Sequence, residues 1–255
     1  MTAWQALLLG LVQGVTEFLP ISSSGHLALF QYWFGIQEPT LFFDVFLHAA
    51  SLVAIVIFFW TEIKKLVLRD YWLLAVGTIP AVFIGLGLEN YLETTLSTPL
   101  MLGLTFMITG LINVAIHRLL AKPPKTSAQL NESKALTIGL FQAFAIVPAI
   151  SRSGSTLLGS LWTKLDKEKA FAFTFLLGVP AIFGANILQF YRLLNGNEQQ
   201  AFVTPIFLLG GLASLIASLW SLKLLKQFLV QSRFMVFSWY CLILGGFLTI
   251  TQLIR

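Results

Sequence analysis

Two short segments of an otherwise apolar sequence carry the residue types that could do chemistry. The first runs from Gln13 through Glu17 to Ser22-Ser23-Ser24-Gly25-His26. Gln13 and Glu17 are four residues apart, so on a helix they share one face. A carboxylate and an amide oxygen on one face suit a hard divalent cation such as Mg²⁺ or Ca²⁺. A Gln–Glu pair that only hydrogen-bonds a neighbouring helix fits the same spacing.

The serine run of the first segment ends beside an imidazole. A hydroxyl next to a histidine is the minimal arrangement of a nucleophile and its base. The alternative is the start of a capped helix, in which one Ser accepts a backbone hydrogen bond. A cap accounts for one of Ser22, Ser23 and Ser24 but not for His26, so the pattern favours a reactive or substrate-binding site.

The second segment reads Ser151-Arg152-Ser153-Gly154-Ser155-Thr156. An arginine in an apolar stretch requires an anion, and the guanidinium fork matches phosphate oxygens. Hydroxyls and the start of the next helix would add donors. The segment therefore indicates an oxyanion cradle made by Ser151, Arg152, Ser153 and Thr156, with Ser22 and Ser24 opposite. A purely structural ion pair of Arg152 with Glu17 or Asp44 is the alternative.

Asp44 and His48 form a further pair at helical spacing. They could orient His26 or the ligands of a metal ion through hydrogen bonds. A hydrogen bond between membrane helices is the simpler interpretation and is favoured for these two residues.

The composition places these segments in a membrane protein. Of 255 residues, 57% are hydrophobic and 11% are charged, against roughly 25% charged in a soluble domain. This excludes a soluble enzyme, a disordered protein and a nucleic-acid binder. The single cysteine excludes a disulfide framework. The expected fold class is all-α, a polytopic membrane protein.

Six stretches are long enough to cross the roughly 30 Å of hydrocarbon. Two more, 4–33 and 136–162, are broken by the two polar segments. Most basic residues lie in loops 61–70, 118–134, 161–169 and 223–233, and these loops share the cytoplasmic side only if both broken stretches are re-entrant hairpins. The six predicted spanning stretches are 41–60, 71–88, 99–117, 170–191, 202–222 and 234–253.

A shift of about 129 residues superimposes the two segments. It aligns Gly10-Leu11-x-Gln13 with Gly139-Leu140-x-Gln142, and Ser22-x-Ser24-Gly25 with Ser151-x-Ser153-Gly154. Each half then holds one hairpin and three spans, an inverted-topology repeat with its site at the broken segments. The prediction is a single membrane domain, 1–255, with pseudo-repeats 1–120 and 130–255 joined by the basic cytoplasmic loop 118–134. The hairpins enter from opposite faces and meet at an internal site.

Both segments, with their spacing, resemble the signatures of the bacterial undecaprenyl-diphosphate phosphatases, also called the bacitracin-resistance protein family. The resemblance implies a hydrolase of the bacterial plasma membrane that removes the terminal phosphate of undecaprenyl diphosphate. This recycles the lipid carrier of cell-wall synthesis and confers bacitracin resistance. It implies metal or acid–base roles for Gln13 and Glu17, catalytic roles for Ser23 and His26, and phosphate binding by Arg152. Ala149 replaces the family's glycine, which is expected to tighten the backbone around the phosphate.

The resemblance leaves several points open. Ser23 attacking with His26 as base is the first choice, His26 as nucleophile the second, and water activated by Glu17 or His26 the third. The expected cofactor is Mg²⁺ or Ca²⁺, the partners are a polyprenyl diphosphate and membrane lipid without nucleic acid, and a homodimer is one option. The site is expected to open to the outer, periplasmic face. The alternative function is an inverted-repeat transporter or flippase for a lipid phosphate.

Overall fold

The structure is a computed structural model that describes residues 1–36, 41–96, 98–122, 126–195 and 205–254. Every regular element in these ranges is a helix, which confirms the predicted all-α class. The helices are α1 Ala3–Phe18, α2 Ser23–Trp33, α3 Leu41–Phe58, α4 Trp60–Ile63, α5 Leu68–Leu96, α6 Pro99–Ala121, α7 Glu132–Phe144, α8 Arg152–Trp162, α9 Lys167–Asn195, α10 Pro205–Val230 and α11 Met235–Leu253.

The two polar segments separate two pairs of short helices. α1 has 16 residues and α2 has 11, or roughly 24 Å and 17 Å at 1.5 Å per residue. α7 has 13 residues and α8 has 11. Each helix is shorter than the hydrocarbon thickness of a bilayer, and the members of each pair pack against each other.

Serine hydroxyls start the second helix of each pair. The Ser22 hydroxyl accepts a hydrogen bond from the Gly25 backbone N–H, and the Ser151 hydroxyl accepts one from Gly154. These bonds satisfy amide groups that a helix start leaves unpaired. The capping interpretation is therefore correct for the first serine of each run and leaves the following hydroxyls for other contacts.

The chain turns sharply at both breaks. Ser22 has φ of 70° and Ala149 has φ of 61°, both in the left-handed region that favours glycine. Ala149 is fully buried, and it stands where the family signature has glycine. The positive φ of this turn is thus a physical reason for a glycine at this position.

The remaining long helices are apolar enough to cross a membrane. Five qualify by length and hydropathy, and Phe42–Phe58 is a shorter apolar helix. Their side chains expose large apolar groups, such as Phe83 at 76% and Ile243 at 68%, as lipid-facing surfaces do. The chain therefore forms a multi-pass membrane protein.

Two of the predicted spanning stretches are shorter than the helices that contain them. α5 continues to Leu96, beyond the predicted end of its span at 88. α10 continues to Val230 and includes Lys223 and Lys226 of the predicted loop 223–233. Charged residues end the apolar stretch in the sequence, but Glu and Lys are good helix formers, so the helices extend beyond it. The predicted span start at 202 lies outside the described residues.

Helices of one half of the chain pack against helices of the other half. α1 packs against α10, α7 packs against α5, and α6 packs against α11. At each contact the helix backbones meet at glycines: Gly10 against Gly210, Gly139 against Gly77, and Gly103 against Gly245. A Cβ on one glycine of each pair, Gly10, Gly139 or Gly245, would collide with the backbone oxygen of its partner glycine, so close approach requires glycine there.

An aromatic cluster supports the end of the first short helix. Phe18 makes an edge contact with Phe175, at 5.6 Å between centroids, and Phe175 also contacts Phe59 and Phe171. Phe18 follows Glu17 directly and is fully buried. This packing fixes the last turn of α1, and with it the position of the Glu17 carboxylate.

Candidate active site

Glu17 is the centre of the site. Its side chain is 5% exposed, and its Oε2 accepts hydrogen bonds from the Ser23 hydroxyl at 2.6 Å and from Gln13 Nε2 at 3.1 Å. Its Oε1 forms an ion pair with Arg152. The first and second polar segments, 135 residues apart at this pair, therefore meet on one carboxylate. A buried carboxylate requires such partners, because an unpaired charge at this depth would be very costly.

A cavity of about 380 Å³ opens beside this cluster. Its polar part is formed by residues of both breaks, while α5 and α9 contribute a mostly apolar wall. Such a cavity suits a ligand with a charged head and an apolar tail. Of the predicted site residues, those in its wall are Glu17, Ser22, Ser23, Ser24, Ser151 and Arg152.

Arg152 reaches the cavity across a glycine of the neighbouring helix. A Cβ placed on Gly178 of α9 would collide with Arg152 Nη1 and lie 3.4 Å from its Cζ. Gly178 thus provides the space that the guanidinium occupies. The sequence alone gave no signal for this role, because Gly178 lies in an apolar run far from either segment.

His26 hydrogen-bonds to groups other than the Ser23 hydroxyl. Its Nδ1 donates to the Ser22 carbonyl at 2.6 Å, so in a neutral ring Nε2 accepts the Tyr240 hydroxyl at 2.6 Å. The ring also stacks on Tyr240 and meets the edge of Phe106. It is 4% exposed and does not line the cavity. Nδ1 thus bonds within the first break, and Nε2 holds the break to α11.

The other hydroxyls join the two breaks to each other. The Ser153 hydroxyl donates to the Leu19 carbonyl at 3.2 Å, and the Ser24 hydroxyl accepts from the Ala149 N–H at 3.4 Å. Thr156 is buried and, like Gln13, does not line the cavity. The predicted residues Ser153 and Thr156 therefore lie behind the cradle rather than in it.

Two polar residues of α6 hold the same breaks. Asn113 donates to the Pro20 carbonyl at 2.6 Å. The Thr109 hydroxyl donates to the Ala149 carbonyl at 2.9 Å and accepts from the Ser151 N–H at 3.1 Å. These bonds satisfy backbone groups that would otherwise be unpaired within the membrane. Sequence reasoning missed both residues, because single polar residues in an apolar helix do not reveal which carbonyl they face.

His48 and Asp44 have different surroundings. His48 lines the cavity, with Nε2 3.7 Å from Glu17 Oε2 and Nδ1 donating to the Asp44 carbonyl at 2.8 Å. The Asp44 carboxylate accepts from the Gln31 amide at 2.8 Å. His48 thus belongs to the Glu17 cluster, whereas Asp44 makes the kind of hydrogen bond between helices that the sequence favoured.

The cluster offers oxygen donors of the kind a divalent cation prefers. The Glu17 carboxylate, the Ser23 hydroxyl and the Gln13 amide are adjacent, and Gln13 Oε1 is buried without a hydrogen-bond partner in the part of the chain that the structure describes. An orphaned oxygen beside a carboxylate fits a hard cation. Within the described residues no three His, Cys, Asp or Glu side chains are grouped for a metal, so amide, hydroxyl or phosphate oxygens would complete the ligands.

Comparisons with known proteins agree with the geometry. A family model described as "Bacitracin resistance protein BacA" matches residues 6–247. An undecaprenyl-diphosphatase of Carboxydothermus hydrogenoformans is 38% identical over 99% of this chain and 98% of its own length. An undecaprenyl-diphosphatase of Thermosipho africanus is 38% identical over 94% of this chain and 96% of its own length. Undecaprenyl-diphosphatase 4 of Bacillus thuringiensis subsp. konkukian is 39% identical over 94% of each chain.

Proposed function

The chain belongs to the bacitracin resistance protein BacA family, and we propose that it is an integral membrane phosphatase that hydrolyses undecaprenyl diphosphate to undecaprenyl phosphate and inorganic phosphate. The observation that carries this proposal is the meeting of Ser23, Glu17 and Arg152 at one cavity with an apolar wall. The reaction returns the lipid carrier to cell-wall synthesis and underlies bacitracin resistance.

The membrane arrangement we propose has six spanning helices and two re-entrant hairpins that enter from opposite faces. The short lengths of α1, α2, α7 and α8 support it, as does the pairing of each hairpin with a long helix of the other half. Basic loops then face the cytoplasm of a bacterial plasma membrane. The cavity opens to the outer face in this arrangement, the side from which the first hairpin enters.

Ser23 is the nucleophile that the geometry supports. Its hydroxyl donates to Glu17 Oε2 at 2.6 Å, so Glu17 is placed to accept the proton as Ser23 Oγ bonds to the terminal phosphorus. The bond between that phosphorus and the bridging oxygen breaks, and undecaprenyl phosphate leaves. Water then hydrolyses the phosphoserine and releases phosphate.

Arg152 stabilises the transferring phosphoryl group in this scheme. Phosphoryl transfer depends on positioning and on neutralising the equatorial oxygens. The incoming phosphate takes the guanidinium from Glu17, which leaves the carboxylate free to accept the Ser23 proton. His26 holds the first break in place, rather than acting as the base that the sequence favoured.

A divalent cation, Mg²⁺ or Ca²⁺, would be held by Gln13 and Glu17. When bound, it would supply further positive charge to the diphosphate. The roles of Ser23, Arg152 and His26 described above do not depend on which ion is present.

The test is phosphate release by the purified full-length protein in detergent. Undecaprenyl diphosphate is supplied with and without a chelator to wild type, Ser23→Ala, Glu17→Gln and Arg152→Ala. The exposed Glu62→Gln on α4 serves as the control for a carboxylate change. We expect Glu17→Gln to reduce kcat by about 10²–10⁴-fold and Glu62→Gln to have no effect.

Trapping the phosphorylated protein distinguishes the nucleophiles. A phosphoserine survives acid and a phosphohistidine does not, so an acid-stable label that is absent from Ser23→Ala supports the scheme. Full activity in Ser23→Ala, Glu17→Gln and Arg152→Ala would refute the site. The transporter alternative predicts lipid movement without phosphate release, and the named relatives do not favour it.

A further inference from the structure

Gln142 is a buried amide at the cavity that has no hydrogen-bond partner among the described residues. It is 2% exposed and lines the cavity with Glu17 and Arg152. Within that part of the chain, neither its Nε2 nor its Oε1 makes a hydrogen bond. Most buried polar side-chain atoms in proteins are paired, and a site surrounded by apolar groups makes an unpaired amide more costly. An unsatisfied amide at a cavity wall points to a ligand that completes it.

The internal repeat shows why Gln142 differs from its counterpart. Gln13 occupies the equivalent position in the first hairpin, and its Nε2 donates to Glu17 four residues later. In the second hairpin the residue four positions later is Ile146, whose side chain cannot accept a hydrogen bond. The amide of Gln142 is therefore left for another acceptor.

We propose that Gln142 is a substrate-binding residue whose amide donates to the phosphate that stays on the lipid. This rests on the proposed function. The terminal phosphate must lie against Ser23 and Arg152, whereas Gln142 lines the cavity together with the apolar residues Ala145 and Ile146 that follow it in the chain. The retained phosphate joins the charged head to the apolar tail, so a polar group next to apolar lining suits it.

The chemistry of an amide also suits this assignment. An amide presents two N–H donors and carries no charge, so it can hold a phosphate without drawing the terminal group away from the guanidinium. A contact made equally in substrate, transition state and lipid product contributes uniform binding, which changes KM rather than kcat.

The experiment uses the full-length protein and three measurements: kinetics with undecaprenyl diphosphate, inhibition by undecaprenyl phosphate, and thermal unfolding in detergent. Gln142→Met keeps the volume and removes the donors. We expect KM and the inhibition constant of the lipid product to rise together by about 10-fold, or ~1.4 kcal/mol, with kcat within about threefold. Gln227→Met on the surface of α10 is the matched control and should change none of these.

A purely structural Gln142 predicts the opposite pattern. KM and product inhibition would then be unchanged for Gln142→Met, which would overturn the proposal. Removal of an unpaired buried amide should raise the Tm of the ligand-free protein in either case, so the Tm reports only that the variant folds. A fall in kcat at constant KM would also overturn the proposal, because it would place Gln142 at the transferring group. If Gln142→Met does not fold, Gln142→Leu provides the same comparison. Absence of turnover in wild type would refute the proposed function instead.

Discussion

Gly178→Ala should inactivate the protein while leaving its fold intact. The new Cβ would collide with Arg152 Nη1 and lie 3.4 Å from Cζ. Ordinary carbon contacts need about 3.5–4.0 Å, so the guanidinium must move by roughly 1 Å. A misplacement of that size in a catalytic site can reduce the rate by about 10²-fold.

The stability of the same variant should change little or increase. The group that must move is the end of a flexible side chain, and alanine is favoured over glycine within a helix by about 1 kcal/mol. The assay is kcat/KM for undecaprenyl diphosphate alongside thermal unfolding in detergent. Gly246→Ala on α11 is the control, because a Cβ there meets nothing within 4 Å.

The activity and the folding of Gly178→Ala must be interpreted together. Gly178→Ala with wild-type activity would show that Arg152 does not need its present position, and the assignment of the phosphate-binding group would be wrong. Loss of activity together with loss of folding would show that Gly178 serves the packing of α9 rather than the guanidinium. Only inactivity in a folded protein agrees with the geometry.

Three further outcomes are expected. Tyr240→Phe removes the hydroxyl that donates a hydrogen bond to His26. It should lower the free energy of unfolding by about 1 kcal/mol and the activity severalfold. Unchanged values of both would contradict the role of His26 in positioning the first break. Ala149→Gly should stay within about 1 kcal/mol of wild type in unfolding experiments, because relief of the positive φ offsets a lost buried methyl, whereas Ala149→Val should cost more. For Asp166, burial raises the pKa, but hydrogen bonds from the Lys169 N–H and the Ser127 hydroxyl, with the Lys169 ammonium, lower the pKa below its ordinary value. The stability advantage over Asp166→Asn should therefore be present at neutral pH and vanish as acid protonates the carboxylate; an advantage that persists in acid would exclude this cause.

The sequence predicted that the two polar segments meet, but not the contacts that hold them together. Charged residues are costly within a membrane, so Glu17 and Arg152 could be selected as candidate site residues from their type and surroundings alone. Their ion pair was named only as a structural alternative to phosphate binding. The structure contains that pair at a cavity, where it is compatible with both roles.

The partners of His26 could not be predicted. Its hydrogen bond to Tyr240 spans 214 residues, and nothing in the local pattern distinguishes this tyrosine from others at helix surfaces. The close histidine–serine spacing favoured a base for Ser23, and both residues do lie in the first turn of α2. Hydrogen bonds to the Ser22 carbonyl and to Tyr240 nevertheless engage the imidazole. Spacing along a helix predicts which positions are neighbours but not the partner that each side chain takes.

The glycine contacts described above restrict how the molecule can move. Backbone touches backbone at Gly10 and Gly210, at Gly139 and Gly77, and at Gly103 and Gly245, so sliding either half past the other would force these helices apart. Rocking of two halves, which carriers use for alternating access, is therefore opposed at three places at once.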